Sequence, residues 1–205
     1  MQLRTSRTLY AYWNEIRAGR TAPRRLEVEP SRISSVLPET FMLERIDPSS
    51  YRYRLAGTRL CEIFGVELRD TDMLDGWCAS DRAVLVRSLA STCAQGAVTL
   101  IVVEAKSETA RHIQLEAILL PLTHGEEITR VIGAMAPMVS PHWLGHERLI
   151  HKQLVRHETI WPEGRPHSLV ERAGGQAPLH PPLVNALRGG LDPRRRFRVL
   201  DGGRN

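Results

Sequence analysis

The sequence predicts an α+β fold whose sheet is antiparallel. Two strand-like segments joined by a tight turn come first, and three more follow after a long amphipathic helix. Links between the last three strands are only a few residues long, which suits antiparallel neighbours and excludes parallel crossovers. With 205 residues, of which 42% are hydrophobic, the chain is long enough for one domain with a buried core.

The first predicted element is a helix over residues 7–18, with Ser6 as its N-cap and Gly19 after its last turn. Its apolar side chains recur at helical spacing on one face: Leu9, Tyr12, Trp13 and Ile16. Such a face packs either on its own domain or on a second copy of the chain. A proline-punctuated, irregular connection then completes an N-terminal region of residues 1–38.

A β-hairpin is predicted next, beginning at Phe41. Asp47 and Pro48 supply the residues that a type I turn prefers at its first two positions. The strand after the turn alternates strictly, so its two faces differ. Tyr51, Tyr53 and Leu55 fall on one face, and Arg52 and Arg54 fall on the other.

Helical segments follow the hairpin. A short helix is predicted from Thr58 to Phe64, closed by Gly65, and residues 66–79 are irregular. Ser80 is predicted to cap a longer helix over residues 81–95 that ends at Gly96. Its inward stripe has a spacing of four residues and consists of Leu85, Leu89 and Cys93.

Three strands are predicted over residues 97–106, 111–123 and 128–138. The first is apolar on both faces and therefore central in the sheet, whereas the second alternates, with His112 on its polar face. Residues 39–140 form the predicted main domain. We expect a peripheral helix over residues 141–160 and a largely disordered basic tail over residues 161–205, where proline and glycine recur.

Charge and cysteine usage limit the function classes. Residues 161–205 hold 8 Arg against 4 acidic residues, while the remainder holds 20 basic against 19 acidic residues. A near-neutral body argues against a nucleic-acid-binding core, which needs a concentrated basic face. Three widely spaced cysteines, and the lack of an apolar segment that could span a membrane or act as a secretory signal, lead us to expect a cytoplasmic protein.

The order of elements, and several local sequences, resemble a known family. Segments LYAYWNEIR, FMLERID, YRYRLAGTRLCEIFG and the LDGW/DR pair resemble a bacterial PAS family of single-domain proteins, common in alphaproteobacteria and mostly of unassigned function. The resemblance spans about residues 5–140. It implies a five-stranded antiparallel sheet with helices on one face, in a signalling or regulatory protein. Asp70 stands where PAS sequences often have glycine, a position that aspartate tolerates.

PAS domains hold haem, flavin, small metabolites or nothing between sheet and helices. Haem usually needs an axial histidine, and the helix over residues 81–95 has none. Cys78 lacks the motif of a light-sensing flavin site. His142 and His146, four residues apart, lack the glutamate of a zinc motif, and the cluster Asp70, Asp72 and Asp75 does not match a calcium loop. We therefore expect neither a metal nor a cofactor, with an unidentified small molecule as the alternative.

Two sets of site residues follow. Trp77, an aromatic side chain with one donor just before the long helix, can wall a cavity and bond a ligand. The candidate pocket consists of Tyr53, Leu60, Phe64, Trp77, Leu85 and Leu115. By resemblance, isolated PAS domains dimerise through the helix before the first strand, which makes Leu9, Trp13 and Ile16 the candidate dimer interface.

No catalytic motif occurs in the chain, so the sequence predicts that it is not an enzyme. The leading interpretation is a non-catalytic PAS-type regulatory module in bacterial signal transduction. It acts through protein–protein interaction, as a homodimer and with an unknown signalling protein. A small-molecule sensor is the alternative. A further alternative is nucleic-acid or acidic-partner binding through the arginine cluster of residues 194–198.

Overall fold

The computed structural model describes residues 1–164, and the predicted basic tail lies outside the described residues from 165 onward. Nine helices and strands follow in this order: α1 Arg4–Arg17, β1 Thr40–Asp47, β2 Ser50–Ala56, α2 Thr58–Phe64, α3 Ala79–Gln95, β3 Val98–Ser107, β4 His112–His124, β5 Glu127–Pro137 and β6 Leu149–Ile160. Three short 3-10 helices connect α1 to β1: Arg25–Glu27, Pro30–Ile33 and Leu37–Glu39. The predicted α+β class is confirmed.

All strands belong to one sheet in the order β2-β1-β5-β4-β3-β6, and every neighbouring pair is antiparallel. The predicted hairpin is present, and the Asp47 carboxylate accepts the Ser49 backbone N–H at 2.7 Å within its turn. β3 lies between β4 and β6, and most of its side chains on both faces are buried. Its predicted central position is therefore confirmed.

One strand face differs from the prediction. Leu55 does not share the buried face of Tyr51 and Tyr53, because its side chain is 53% exposed. β1 pairs Met42 with Leu55 but the next residue with Tyr53, so one residue of β2 is bulged. A bulge inserts one residue and reverses the alternation beyond it, which turns Leu55 outward.

The predicted peripheral helix over residues 141–160 is wrong. Leu149–Ile160 forms β6, which pairs with β3 from Ser107↔Leu149 to Val98↔Ile160, so the sheet has six strands rather than five. Leucines at 144, 149 and 154 are five residues apart, a spacing that builds no continuous helical stripe. Pairing with β3 satisfies the backbone groups of both segments, and this tertiary gain overrides local propensity.

The two faces of the sheet carry separate cores. α2 and α3 cover the inner face, where the α3 stripe of Leu85, Leu89 and Cys93 is buried as predicted. Each fully buried leucine contributes about 1.5–3 kcal/mol. Gly65 and Gly96 end these helices in the left-handed conformation, also as predicted. Cys78, rather than Ser80, occupies the N-cap of α3.

α1 packs on the outer face of the sheet, opposite α2 and α3. Leu9 and Trp13 are 0% and 1% exposed, and the Trp13 indole N–H donates to the Pro121 carbonyl at 2.7 Å. Ile16 is half-buried against the same core. The helix thus adopts the intramolecular alternative, and this corrects the dimer-interface assignment of Leu9, Trp13 and Ile16, which requires exposed side chains.

The predicted N-cap of α1 is also corrected, because Ser6 lies inside the helix and is buried. The N-cap position belongs to Leu3, and the carboxylate of Glu116 on β4 accepts the N–H groups of Leu3 and of Gln2 before it. None of the helices within residues 1–164 has the length and apolar character that crossing a membrane requires.

Candidate functional site

Residues 66–78, which connect α2 to α3, join the two edges of the sheet across its inner face. At the β2 edge, the Tyr53 N–H donates to the Thr71 carbonyl at 2.9 Å, and the Asp70 N–H donates to the Tyr53 carbonyl at 2.8 Å. At the β6 edge, Trp77 forms an isolated bridge with Lys152. This connection forms one wall of a cavity of about 440 Å³ on the inner side of the sheet.

Aspartates position the connection. Asp70 adopts φ +65°, the left-handed conformation that its glycine-like place in the sequence predicts. The Asp72 carboxylate accepts the Leu74 N–H at 2.8 Å and the Tyr51 N–H at 3.2 Å. These bonds commit Asp72 to holding the backbone. Within residues 1–164, no group of three or more His, Cys, Asp or Glu side chains is arranged to hold a metal ion.

The cavity has an apolar wall and a polar rim. Its volume lies within the range of small-molecule sites, about 300–1,000 Å³. Apolar and aromatic lining comes from Tyr53, Phe64, Val66, Leu68, Met73, Trp77, Met135, Leu149 and Ile150. Thr71, Asp72, Asp75, Gly76, Arg148 and Lys152 complete the lining. This combination suits a small molecule with an apolar body and at least one polar group.

Half of the predicted pocket residues line this cavity. Tyr53, Phe64 and Trp77 do so, as the sequence predicts. Leu60, Leu85 and Leu115 are fully buried in the inner core and do not line it. Because these leucines fill the space between sheet and helices, the cavity lies nearer to β6 than the predicted pocket.

Trp77 walls the cavity but does not offer its donor to a ligand. Its indole N–H donates to the Met73 carbonyl at 3.0 Å, within the same connection. This bond fixes the ring orientation and leaves the indole face for contact. The indole N–H that was predicted to bind a ligand therefore stabilises the connection between α2 and α3 instead.

Lys152 contributes a charged side chain to the lining of the cavity. Its Nζ donates to the Asp75 carbonyl at 2.7 Å and lies 5.1 Å from the centroid of the Trp77 ring. Burial lowers the pKa of Lys152 to about 8, although the carboxylates of Asp75 and Asp72 oppose the shift. Sequence reasoning missed Lys152, because residues 141–160 were expected to be helical. Its rarity, as one of two lysines among 28 basic residues, is the only signal that the sequence carries.

A second cavity of about 360 Å³ shares Lys152 with the first. It is lined by Cys78, Ser80, Asp81, Glu104, Lys106, His112, His151, Lys152 and Gln153. His112 bonds the Glu104 carboxylate through Nδ1 at 3.1 Å, on the exposed polar face that its strand pattern predicts. Cys78 is exposed, and its Sγ lies 3.1 Å from the Ser80 Oγ.

Comparisons with known proteins place these features in a family context. A family model described as "PAS domain" matches residues 1–136. A crystal structure of a sensory box histidine kinase/response regulator from Burkholderia thailandensis matches with 12% identity and a TM-score of 0.37. That match covers 54% of this chain and 85% of the other, and similarity at this level supports no conclusion about function. No curated protein matches the chain.

Proposed function

The chain belongs to the PAS domain family and is therefore a sensory module of signal transduction; within that role, we propose that it detects a small molecule in the cavity beneath residues 66–78. PAS domains are generally non-catalytic, and we propose the same for this chain. A cytoplasmic location is part of the proposal, supported by the free cysteines Cys61, Cys78 and Cys93.

The observation that carries the proposal is the position of the cavity under the α2–α3 connection. That connection bonds β2 at Tyr53 and meets β6 at Lys152, so it contacts both edges of the sheet. A ligand that contacts Met73, Trp77 and Lys152 touches the connection and β6 together. If the ligand binds one position of the connection more tightly than another, ligand binding shifts the protein toward that state.

A cavity-filling variant tests the proposal. Val66 is half-buried in the cavity wall, so Val66→Trp places an indole in the space that a ligand needs. The matched control is Val139→Trp at a side chain that is 72% exposed. We screen a library of small polar–apolar compounds by thermal shift and confirm binding by native mass spectrometry.

We expect saturable binding in the wild type and in Val139→Trp, and its loss in Val66→Trp. Wild-type affinity in Val66→Trp contradicts the cavity as the site. A library without any saturable binder contradicts sensing by small-molecule binding.

Protein–protein contact is the second candidate function, favoured by an apolar groove on the outer side. The groove has a volume of about 230 Å³ and runs from the 3-10 helices to the end of β2. Leu37 and Leu55, on its walls, are 40% and 53% exposed, and the β2 bulge turns Leu55 toward it. Association that covers these leucines removes apolar surface from water, which favours contact at this groove. We propose that a second copy of the chain covers it.

Solution mass tests this candidate. We expect a dimer in the wild type and a monomer in Leu55→Glu, because a buried unpaired carboxylate opposes association. Val155→Glu, on β6 and with the same 53% exposure, is the matched control and keeps the dimer. A wild-type chain that is monomeric at micromolar concentration excludes the homodimer.

A further inference from the structure

Lys152 occupies a singular place in the described part of the chain, because its side chain lines both cavities. The backbone of β6 holds it opposite Ala105, three pairs from the Leu149 end of the β3–β6 pairing. Its amine is held at the Asp75 carbonyl, 2.7 Å away, against the face of the Trp77 ring. The indole is fixed in turn by its bond to Met73. The Asp75 carbonyl and the Trp77 ring therefore hold the Lys152 amine in a defined position at the cavity.

The surroundings of the amine favour its neutral form more than water does. Asp72, Asp75 and Arg148 line the first cavity with it, and the charges of Asp75 and Asp72 act on the amine. The titratable groups that line the second cavity with it are Cys78, Asp81, Glu104, Lys106, His112 and His151. Burial outweighs the attraction of the carboxylates, so the pKa of Lys152 falls to about 8. A lysine at its ordinary pKa of about 10.4 holds almost no neutral amine near neutral pH, whereas this one holds a substantial fraction.

A neutral lysine amine at the rim of a ligand cavity is a nucleophile for carbonyl carbon. One of its N–H bonds remains directed at the Asp75 carbonyl, which leaves the nitrogen lone pair for the cavity. The aromatic wall of Tyr53, Phe64 and Trp77 suits an apolar or aromatic ligand body.

We propose that Lys152 forms a reversible imine with the ligand of this cavity, a small aldehyde with an apolar or aromatic body. This inference rests on the proposed sensing function of the same cavity. The Lys152 nitrogen attacks the carbonyl carbon to form a C–N bond and a carbinolamine. Loss of the carbonyl oxygen as water, which takes both amine hydrogens, completes the C=N bond. The step is a condensation and needs no oxidant or reductant.

Trapping with a model aldehyde tests the proposal in the intact chain. The protein is incubated with benzaldehyde at neutral pH, sodium cyanoborohydride reduces any imine to a stable benzylamine, and peptide mass spectrometry compares the two lysines. Lys106 is the internal control because it is the other lysine of the chain and lines the second cavity. We expect Lys152 to be labelled about tenfold or more faster than Lys106, given their different surroundings.

Two further samples make the result specific to the fold. In urea-unfolded chain the preference for Lys152 disappears, since both lysines then face water. Lys106→Arg leaves labelling of Lys152 unchanged, whereas Lys152→Arg, which keeps the positive charge, removes the fast reaction. Equal labelling of Lys152 and Lys106 in the folded chain overturns the proposal.

Benzyl alcohol separates the imine from the sensing function, because it has the same ring without the carbonyl. Its binding is followed by ligand-observed NMR, with Val66→Trp as the cavity-filled control. If benzyl alcohol binds the wild type but Lys152 shows no selective trapping, the imine is wrong and the cavity remains a ligand site. If benzyl alcohol does not bind and Lys152 is not selectively trapped, both the imine and the apolar or aromatic ligand class on which it rests are wrong.

Discussion

The Glu116 carboxylate on β4 accepts the backbone N–H of Leu3, the residue before α1, at 3.0 Å. Its other oxygen accepts the Gln2 N–H at 2.7 Å. Glu116 is fully buried, so a side chain from the middle of the sheet provides the acceptor for the N-cap N–H of a helix more than a hundred residues earlier. This pair fastens α1 to the outer face of the sheet.

Removing the Glu116 charge is expected to loosen α1. In Glu116→Gln the amide NH2 faces the Gln2 and Leu3 donors, and one of them loses its acceptor. A hydrogen bond to a charged group contributes about 1.5–3 kcal/mol, so the free energy of unfolding falls by about that amount in urea denaturation. Glu158→Gln, an exposed glutamate on β6, is the matched control and stays within about 0.5 kcal/mol of wild type. Equal effects in both variants contradict the capping role.

The Glu116 contribution depends on pH in a defined direction. Burial by itself raises the pKa of Glu116, but the hydrogen bonds from Gln2 and Leu3 outweigh it, and the pKa lies below the usual value of 4.5. Stabilisation is therefore complete above the unfolded-state pKa and is lost as pH falls through the folded-state pKa. We expect the difference in unfolding free energy between wild type and Glu116→Gln to shrink below about pH 4.5. A difference that stays constant down to the lowest pH at which both remain folded contradicts this linkage.

Gly133 lets Phe41 lie across the sheet. A Cβ at this position of β5 stands 2.6 Å from the Ile118 carbonyl and also meets the Phe41 ring, which packs edge-on against Tyr53. Gly133→Ala is expected to lower the free energy of unfolding by about 1–3 kcal/mol through overpacking, as measured by thermal denaturation. In Gly125→Ala the added Cβ meets no atom within 4 Å. The only cost is that alanine must adopt φ +69°, which lowers the free energy of unfolding by about 1 kcal/mol. If Gly133→Ala loses no more unfolding free energy than Gly125→Ala, the clash at Gly133 is contradicted.

Asp81 ties the start of α3 to β6, since its Oδ2 accepts the Leu154 N–H at 2.9 Å. Asp81→Ala is expected to lower the free energy of local opening of β6 by about 1 kcal/mol. Hydrogen exchange of the β6 amides then speeds by several-fold. Arg87→Ala, at an exposed position of the same helix, is the control. Unchanged exchange in Asp81→Ala shows that pairing with β3 alone holds β6.

Elements with a complete local signal were predicted correctly. The Asp47–Pro48 turn specifies the hairpin, and a stripe with Gly96 as its stop specifies α3, because both depend on residues close in sequence. Caps were less predictable. Ser6 and Ser80 have the right chemistry, but Glu116 reaches the α1 terminus from β4, and such a contact leaves no trace in the nearby sequence.

The candidate site divides in the same way. Trp77 and Tyr53 were found from residue type and strand alternation. Leu60 and Leu85 were expected in the pocket but fill the core, because side-chain packing alone decides whether an apolar residue lines a void or closes it. Lys152 was missed because its role depends on a strand that the local pattern did not predict.

By itself, the sequence determined the antiparallel sheet and the α3 core stripe, which follow from short-range periodicity and turn chemistry, and its resemblance to known sequences indicated the family. Only the tertiary structure decided that α1 packs on its own domain, that residues 149–160 pair with β3, and that Lys152 meets Trp77. Those outcomes depend on contacts between residues far apart in the chain. There, burial and backbone hydrogen bonding outweigh the weaker preference of each local segment.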